Sequence, residues 1–156
     1  MIRKTKSKPF VALMAVALIL CLMAPAVFAN TEPIDVGIDI KPFSCPNAIN
    51  LTNQGTLPVA IFGYPGVIDV MEIDPATIEL GGVSLAVKKN GKLFFAYEDN
   101  NLDGIMDMIC HFSIPQLTAG PDPALDADTD YLFLTAQLYN GTPISGEDIP
   151  WVVPWQ

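Results

Sequence analysis

Oxygen-bearing side chains stand at positions 1, 3, 5 and 9 of the stretch DNNLDGIMD: Asp99, Asn101, Asp103 and Asp107. Gly104 occupies position 6, where a loop wrapped around an ion must turn sharply, often with positive φ. At position 7 the backbone carbonyl of Ile105 would point inward as a further ligand. A tight hairpin needs a single Asn-Gly or Asp-Gly pair, not a row of donors. The chemistry that such a row suits is a hard cation. Ca2+ takes about 6–8 oxygens at about 2.3–2.6 Å, whereas Mg2+ resists dehydration and demands stricter geometry.

The loop departs from an EF-hand at one decisive place. Position 12, where a bidentate Glu is expected, is Cys110. The flanks, KLFFAY and MICHF, read as strands and not as helices. The stretch therefore resembles the D-x-N-x-D-G-x-x-D calcium loops found between strands in extracellular proteins. The remaining ligands would come from water, from a bidentate Asp107 or from another loop, and the expected role is structural, with an affinity suited to extracellular calcium. A second acidic stretch, PDPALDADTD, carries Asp122, Asp126, Asp128 and Asp130 at looser spacing without a central Gly. It reads as a run of solvated loop acids, one of which could complete the first site.

The elements that must position this loop are strands. IDVGIDI alternates Ile34, Val36, Ile38 and Ile40 against Asp35, Gly37 and Asp39, the period-two pattern of a half-buried strand. LPVAIF repeats it with Leu57, Val59 and Ile61, and Pro58 predicts an edge position or a strand start there. TIEL, GVSLAV, KLFFAY and MDMICHF follow, then DYLFLTAQLY and a closing IPWVV. Pro-, Gly- and Asn-rich turns separate these runs, and no stretch holds a helical period beyond one short turn in IPQLTAG. The predicted fold class is all-β, an Ig-like antiparallel β-sandwich of about seven to nine strands.

The N-terminal stretch reads as an export signal: Arg3, Lys4, Lys6 and Lys8, then an apolar run ending in Val27-Phe28-Ala29. The expectation is a signal peptide over 1–29 and one secreted domain over 30–156; the alternative is an uncleaved anchor. Leu20 ahead of Cys21 argues against a lipoprotein. All seventeen acids then lie in the remainder, with only Lys41, Lys88, Lys89 and Lys92 as bases, a net charge of −13. That argues against nucleic acid and anionic lipid as partners, and a chain so charged benefits from bound cations. Cys45 and Cys110 survive processing. The simplest reading is one disulfide in an oxidising compartment, and the alternative is two buried free thiols.

His111 is the only histidine. No nucleophile motif surrounds it and a lone His makes no zinc site, so it reads as a residue packed on a sheet face. Trp151 and Trp155, with Tyr139, form a possible sugar platform; the alternative is that a terminal Trp caps the core. Asn50 and Asn140 begin N-x-T sequons, relevant only in a host that glycosylates them.

Five segments, DIKPFSCPNAIN, LPVAIFG, IDPATIELGGV, EDNNLDGIMDMICHF and YNGTPISGEDI, occur in that order and cover nearly all of residues 34–153. Together they resemble an extracellular β-sandwich module of secreted bacterial and archaeal proteins. Its usual form is similar to D-I-K-P-G-S-x-P-N-x-I-N followed by E-D-x-N-x-D-G-x-x-D and G-T-P-I-x-G-x-D. The resemblance implies an accessory module without a named activity, with Asp99, Asn101, Asp103 and Asp107 as cation ligands. Phe43 stands where the module usually has Gly, which puts the turn there in question. The chain also reads as a whole protein and not as one module of many, so its partner would come from outside the chain. The expectation is a secreted, calcium-binding domain, not an enzyme, with a structural, adhesive or interaction role towards an unknown protein or polysaccharide at the cell surface, with possible self-association. The alternatives are a carbohydrate-binding module and a subunit of a surface filament or coat.

Overall fold

The computed structural model describes residues 31–153. The expected signal segment over 1–29 and Trp155 lie outside those residues. Among the described residues there are eleven strands: β1 (Ile34–Asp35), β2 (Ile38–Ile40), β3 (Ala48–Ile49), β4 (Thr56–Ile61), β5 (Glu79–Leu80), β6 (Val83–Ser84), β7 (Phe95–Glu98), β8 (Asp107–Ser113), β9 (Leu132–Gln137), β10 (Pro143–Asp148) and β11 (Trp151–Val152). They form a five-stranded sheet in the order β1-β10-β9-β5-β6, a four-stranded sheet in the order β2-β4-β8-β7, and a small pair, β11-β3. The all-β sandwich is thus present, with more and shorter strands than expected. Two ladders are parallel, β1 with β10 and β11 with β3. Both join segments about a hundred residues apart in the chain, where no hairpin turn imposes an antiparallel return.

The alternating run at residues 34–40 is one continuous pattern in sequence but two strands in space. Val36 N–H donates to Ser145 O of the five-stranded sheet, and Gly37 O accepts from Phe62 N–H beside the four-stranded one. The chain changes sheets between these two residues. Because the crossing preserves the alternation, Val36, Ile38 and Ile40 all reach the shared core. On the facing strands Leu57, Val59 and Ile61, Met108, Cys110 and Phe112, and Leu132 and Leu134 are almost wholly buried. A large apolar side chain fully buried in this way contributes about 1.5–3 kcal/mol.

Pro58 lies inside the sheet order, between β2 and β8, and not at an edge. Its carbonyl accepts from Lys41 N–H, just beyond the last paired residue of β2. Within a strand the N–H and C=O of one residue point to the same side. The donor that Pro58 lacks would face the place where β2 has already ended, so the sheet loses no bond.

β10 leaves no clear strand pattern in the sequence. Its residues Pro143, Ser145 and Gly146 carry little strand propensity. Gly146 is required by a close approach: a Cβ there would come within 2.5 Å of Val36 O. The expected helical turn in IPQLTAG is present as a single turn over Ile114–Leu117.

The expected Cys45–Cys110 bridge is not formed. Both thiols are free; Cys110 points into the core from β8, and Cys45 is exposed beside the cis Cys45–Pro46 bond. Burial pushes the Cys110 thiol up to about 12, so it stays protonated and behaves as a small apolar side chain. The alternative of two buried thiols holds for Cys110 alone.

Phe43 has φ 66 and is 87 % exposed. A side chain in the left-handed region costs about 1 kcal/mol or more, and so exposed a ring recovers little of it through packing. We expect Phe43→Gly to raise stability by about 0.5–1 kcal/mol in chemical denaturation, less than the full strain because Gly loosens the unfolded chain. A loss of stability would show that the left-handed strain at Phe43 is smaller than the entropy that Gly adds to the unfolded chain.

Candidate cation loop and its anchor

β7 and β8 pair antiparallel from Phe95–Cys110 to Glu98–Asp107. The residues between them form a loop that folds on its own donors. Asp99 accepts from Asp103 N–H (3.1 Å) and Gly104 N–H (3.0 Å), one to each carboxylate oxygen. Asp103 accepts from Ile105 N–H at 2.8 Å, and the Asn101 amide donates to the other Asp103 oxygen at 2.9 Å. Leu102 (φ 63) and Gly104 (φ 86) supply the left-handed turns that curl the backbone inward. Asp99, Asn101 and Asp103 are thus gathered in one small, solvent-facing loop.

Asp107 does something different. It is fully buried. One oxygen accepts from Gly63 N–H at 3.0 Å, and the other accepts from Asn100 N–H at 2.9 Å. Its carboxylate ties the start of the loop to the segment that follows β4. Gly63 must be glycine for the same reason: a Cβ would meet Met106 O at 2.3 Å and the Ile105 side chain at 2.8 Å. Neither Gly63 nor Asn100 was legible as a site residue. Gly63 lies forty-four residues from Asp107, and only the fold joins them.

The donor chemistry suits a hard cation at the outer half of the loop: two carboxylates, one amide oxygen and the Ile105 carbonyl. It does not bring a third carboxylate to the same point. Among the described residues no group of three or more His, Cys, Asp or Glu side chains is arranged to hold an ion. Each Asp107 oxygen, like each Asp99 oxygen, keeps a second lone pair beyond the backbone N–H it accepts from; what sets Asp107 apart is its complete burial beneath the loop.

The other candidate residues are separate from this loop. His111 stacks on Phe94 with ring centroids 3.8 Å apart, and its Nδ1 is 3.3 Å from Thr56 Oγ1. Burial lowers its pKa, and the nearby Lys88 charge adds to that. Trp151 is 55 % exposed on β11, its N–H bonded to Asn47 O, and Tyr139 is exposed in the turn after β9. Neither belongs to the ring pairs among the described residues, which are Phe94–His111, Phe95–Tyr97 and Tyr131–Phe133. The last of these, exposed on the outer side of β9, was implied by the alternation of DYLFLTAQLY but not singled out. Asp126 and Asp128 stay within their own turn, where Asp126 caps Thr129 and the Asp128 N–H.

No protein-family model, curated protein or solved structure matches this chain.

The anchoring role of Asp107 has a direct consequence. In Asp107→Asn the amide NH2 must face one of the two N–H groups that the carboxylate accepts from. We expect a loss of about 2 kcal/mol in chemical denaturation, the scale of one buried donor left unpaired. Asp122→Asn, in an exposed loop, provides the control and should change stability by less than about 0.5 kcal/mol. Equal stability of Asp107→Asn and the parent would refute the anchor.

Proposed function

We propose that this protein is an exported β-sandwich that uses calcium to brace the loop between β7 and β8, and that it serves as a structural or adhesive interaction domain at the cell surface and not as an enzyme. The observation that carries the reading is the inward folding of Asp99, Asn101 and Asp103 around a backbone turned by Leu102 and Gly104. The charge supports it as well. Seventeen acids against four lysines after residue 29 leave a surface on which a divalent ion relieves repulsion. Crowding is visible at Asp39, whose pKa is raised first by burial and then by the neighbouring Asp148 charge. Residues 1–29 have the composition of an export signal, and that is the basis for placing the protein outside the cytoplasm.

The loop would hold the ion with Asp99, Asp103, Asn101 and the Ile105 carbonyl, and water would fill the remaining positions. What the ion supplies is charge neutralisation and a fixed loop shape. Asp107 and Gly63 then pass that rigidity to the segment after β4, which carries the exposed Tyr64 and Val67.

The test is thermal melting with calcium and with chelator. A site of extracellular affinity, with Kd of about 0.1–1 mM, stabilises by about 1.4–2.7 kcal/mol at about 10 mM calcium, a rise of several degrees. Asp99→Ala combined with Asp103→Ala should abolish that rise, so that the variant melts at the same temperature in calcium and in chelator, whatever its lost loop hydrogen bonds cost both melts. Equal melting temperatures in calcium and chelator for the parent protein would remove the calcium reading.

A further inference from the structure

Three of the four lysines after residue 29 fall within five residues, Lys88, Lys89 and Lys92. They occupy the tip of a formed hairpin. Val87 bridges Leu93, Lys88 N–H donates to Lys92 O at 2.8 Å, and Gly91 N–H closes the turn onto Lys88 O at 2.9 Å. The Lys88 ammonium sits 4.9 Å from the centre of the Phe94 ring, which steadies it. Beside the lysines Val87 is 61 % exposed. The tip is a shaped, basic projection with an apolar flank on an otherwise acidic protein.

A groove of about 480 Å3 lies at the other end of β7. Its apolar wall is made by Val36, Phe62, Tyr64, Val67 and Ile68, and Asp35 and Asp103 stand on it. The hairpin leads into β7 and the loop carrying Asp103 follows it, so Lys92 and Asp99 are held apart by up to about 23 Å of extended chain. The two features are complementary in charge and in apolar content, yet one copy cannot bring them together.

We propose that the Val87–Lys92 hairpin of one copy docks in this groove of the next, with Val87 on the apolar wall and the lysines against Asp35 and Asp103. Such a contact joins two different surfaces. Each copy can offer its hairpin and its groove at once, so association either closes into a ring, two copies exchanging hairpins being the smallest, or extends as an open chain. The net negative charge of each copy opposes approach at long range, but a Debye length of about 8 Å at about 0.15 M salt leaves the short-range pairs to decide. Asp103 is also a ligand in the calcium reading, so an ion there would compete with the lysines; association is therefore measured in chelator, where its failure and that of the calcium reading are distinct.

Sedimentation velocity over a concentration series at physiological salt tests it. The weight-average mass should climb from that of the monomer to that of a dimer or beyond as concentration rises. Lys88→Glu with Lys89→Glu and Lys92→Glu should weaken association about tenfold or more, as should Asp35→Lys with Asp103→Lys. An equimolar mixture of the two reversed proteins should associate again, because the acidic tip of one meets the basic groove of the other. That rescue cannot arise from misfolding. A parent protein that stays monomeric up to about 1 mM, or a mixture that stays dissociated, would each overturn the proposal.

Discussion

The buried carboxylate of Asp107 is the contact on which the arrangement around the candidate site depends. Among the described residues it has no cationic partner; two backbone N–H groups, of Gly63 and Asn100, satisfy it. An ionised group taken out of water is tolerated only when hydrogen bonds replace hydration, and N–H donors to a carboxylate are among the stronger ones. The geometry needs Gly63 without a Cβ and a loop that starts with Asn100 tucked inward. Two segments forty-four residues apart are thereby fixed to one another at the end of the four-stranded sheet. Among the described residues no buried side-chain polar atom is left without a partner, so this junction is a satisfied one.

The outer half of the loop is built on the opposite principle. Asp99, Asn101 and Asp103 face solvent and bond mainly to their own backbone. Short Asp and Asn side chains form such turns readily, which lets the loop keep its shape in water. A cation would add charge balance to a shape the backbone already favours. One anchored, dry half and one wet half make a loop that is positioned by the fold and still open to a ligand.

Strands that alternate strictly were legible because burial of one sheet face writes itself into every second residue. β4, β8 and β9 appear where Leu57–Val59–Ile61, Met108–Cys110–Phe112 and Leu132–Leu134–Ala136 placed them. β10 was hidden because its defining residue, Gly146, is selected by the close passage of Val36 and leaves no period to read. The same limit applied to the site. The spacing Asp99, Asn101, Asp103 revealed a shared loop, since those residues are local. The spacing placed Asp107 beside them as an equal, because nothing local distinguishes an exposed loop carboxylate from a buried one that clamps Gly63. Cys45 and Cys110 are unpaired for a related reason: the presence of two cysteines beyond the N-terminal stretch says nothing about whether one of them faces the core.

Hydrogen exchange of individual backbone amides tests the anchored loop most directly. In the absence of calcium, Gly63 and Asn100 N–H should exchange slowly, close to the rates of the β8 core amides, because both end on the buried Asp107 carboxylate. Exchange of these two amides at the rate of an exposed turn would contradict the account, since the loop would then have no fixed attachment to the sandwich.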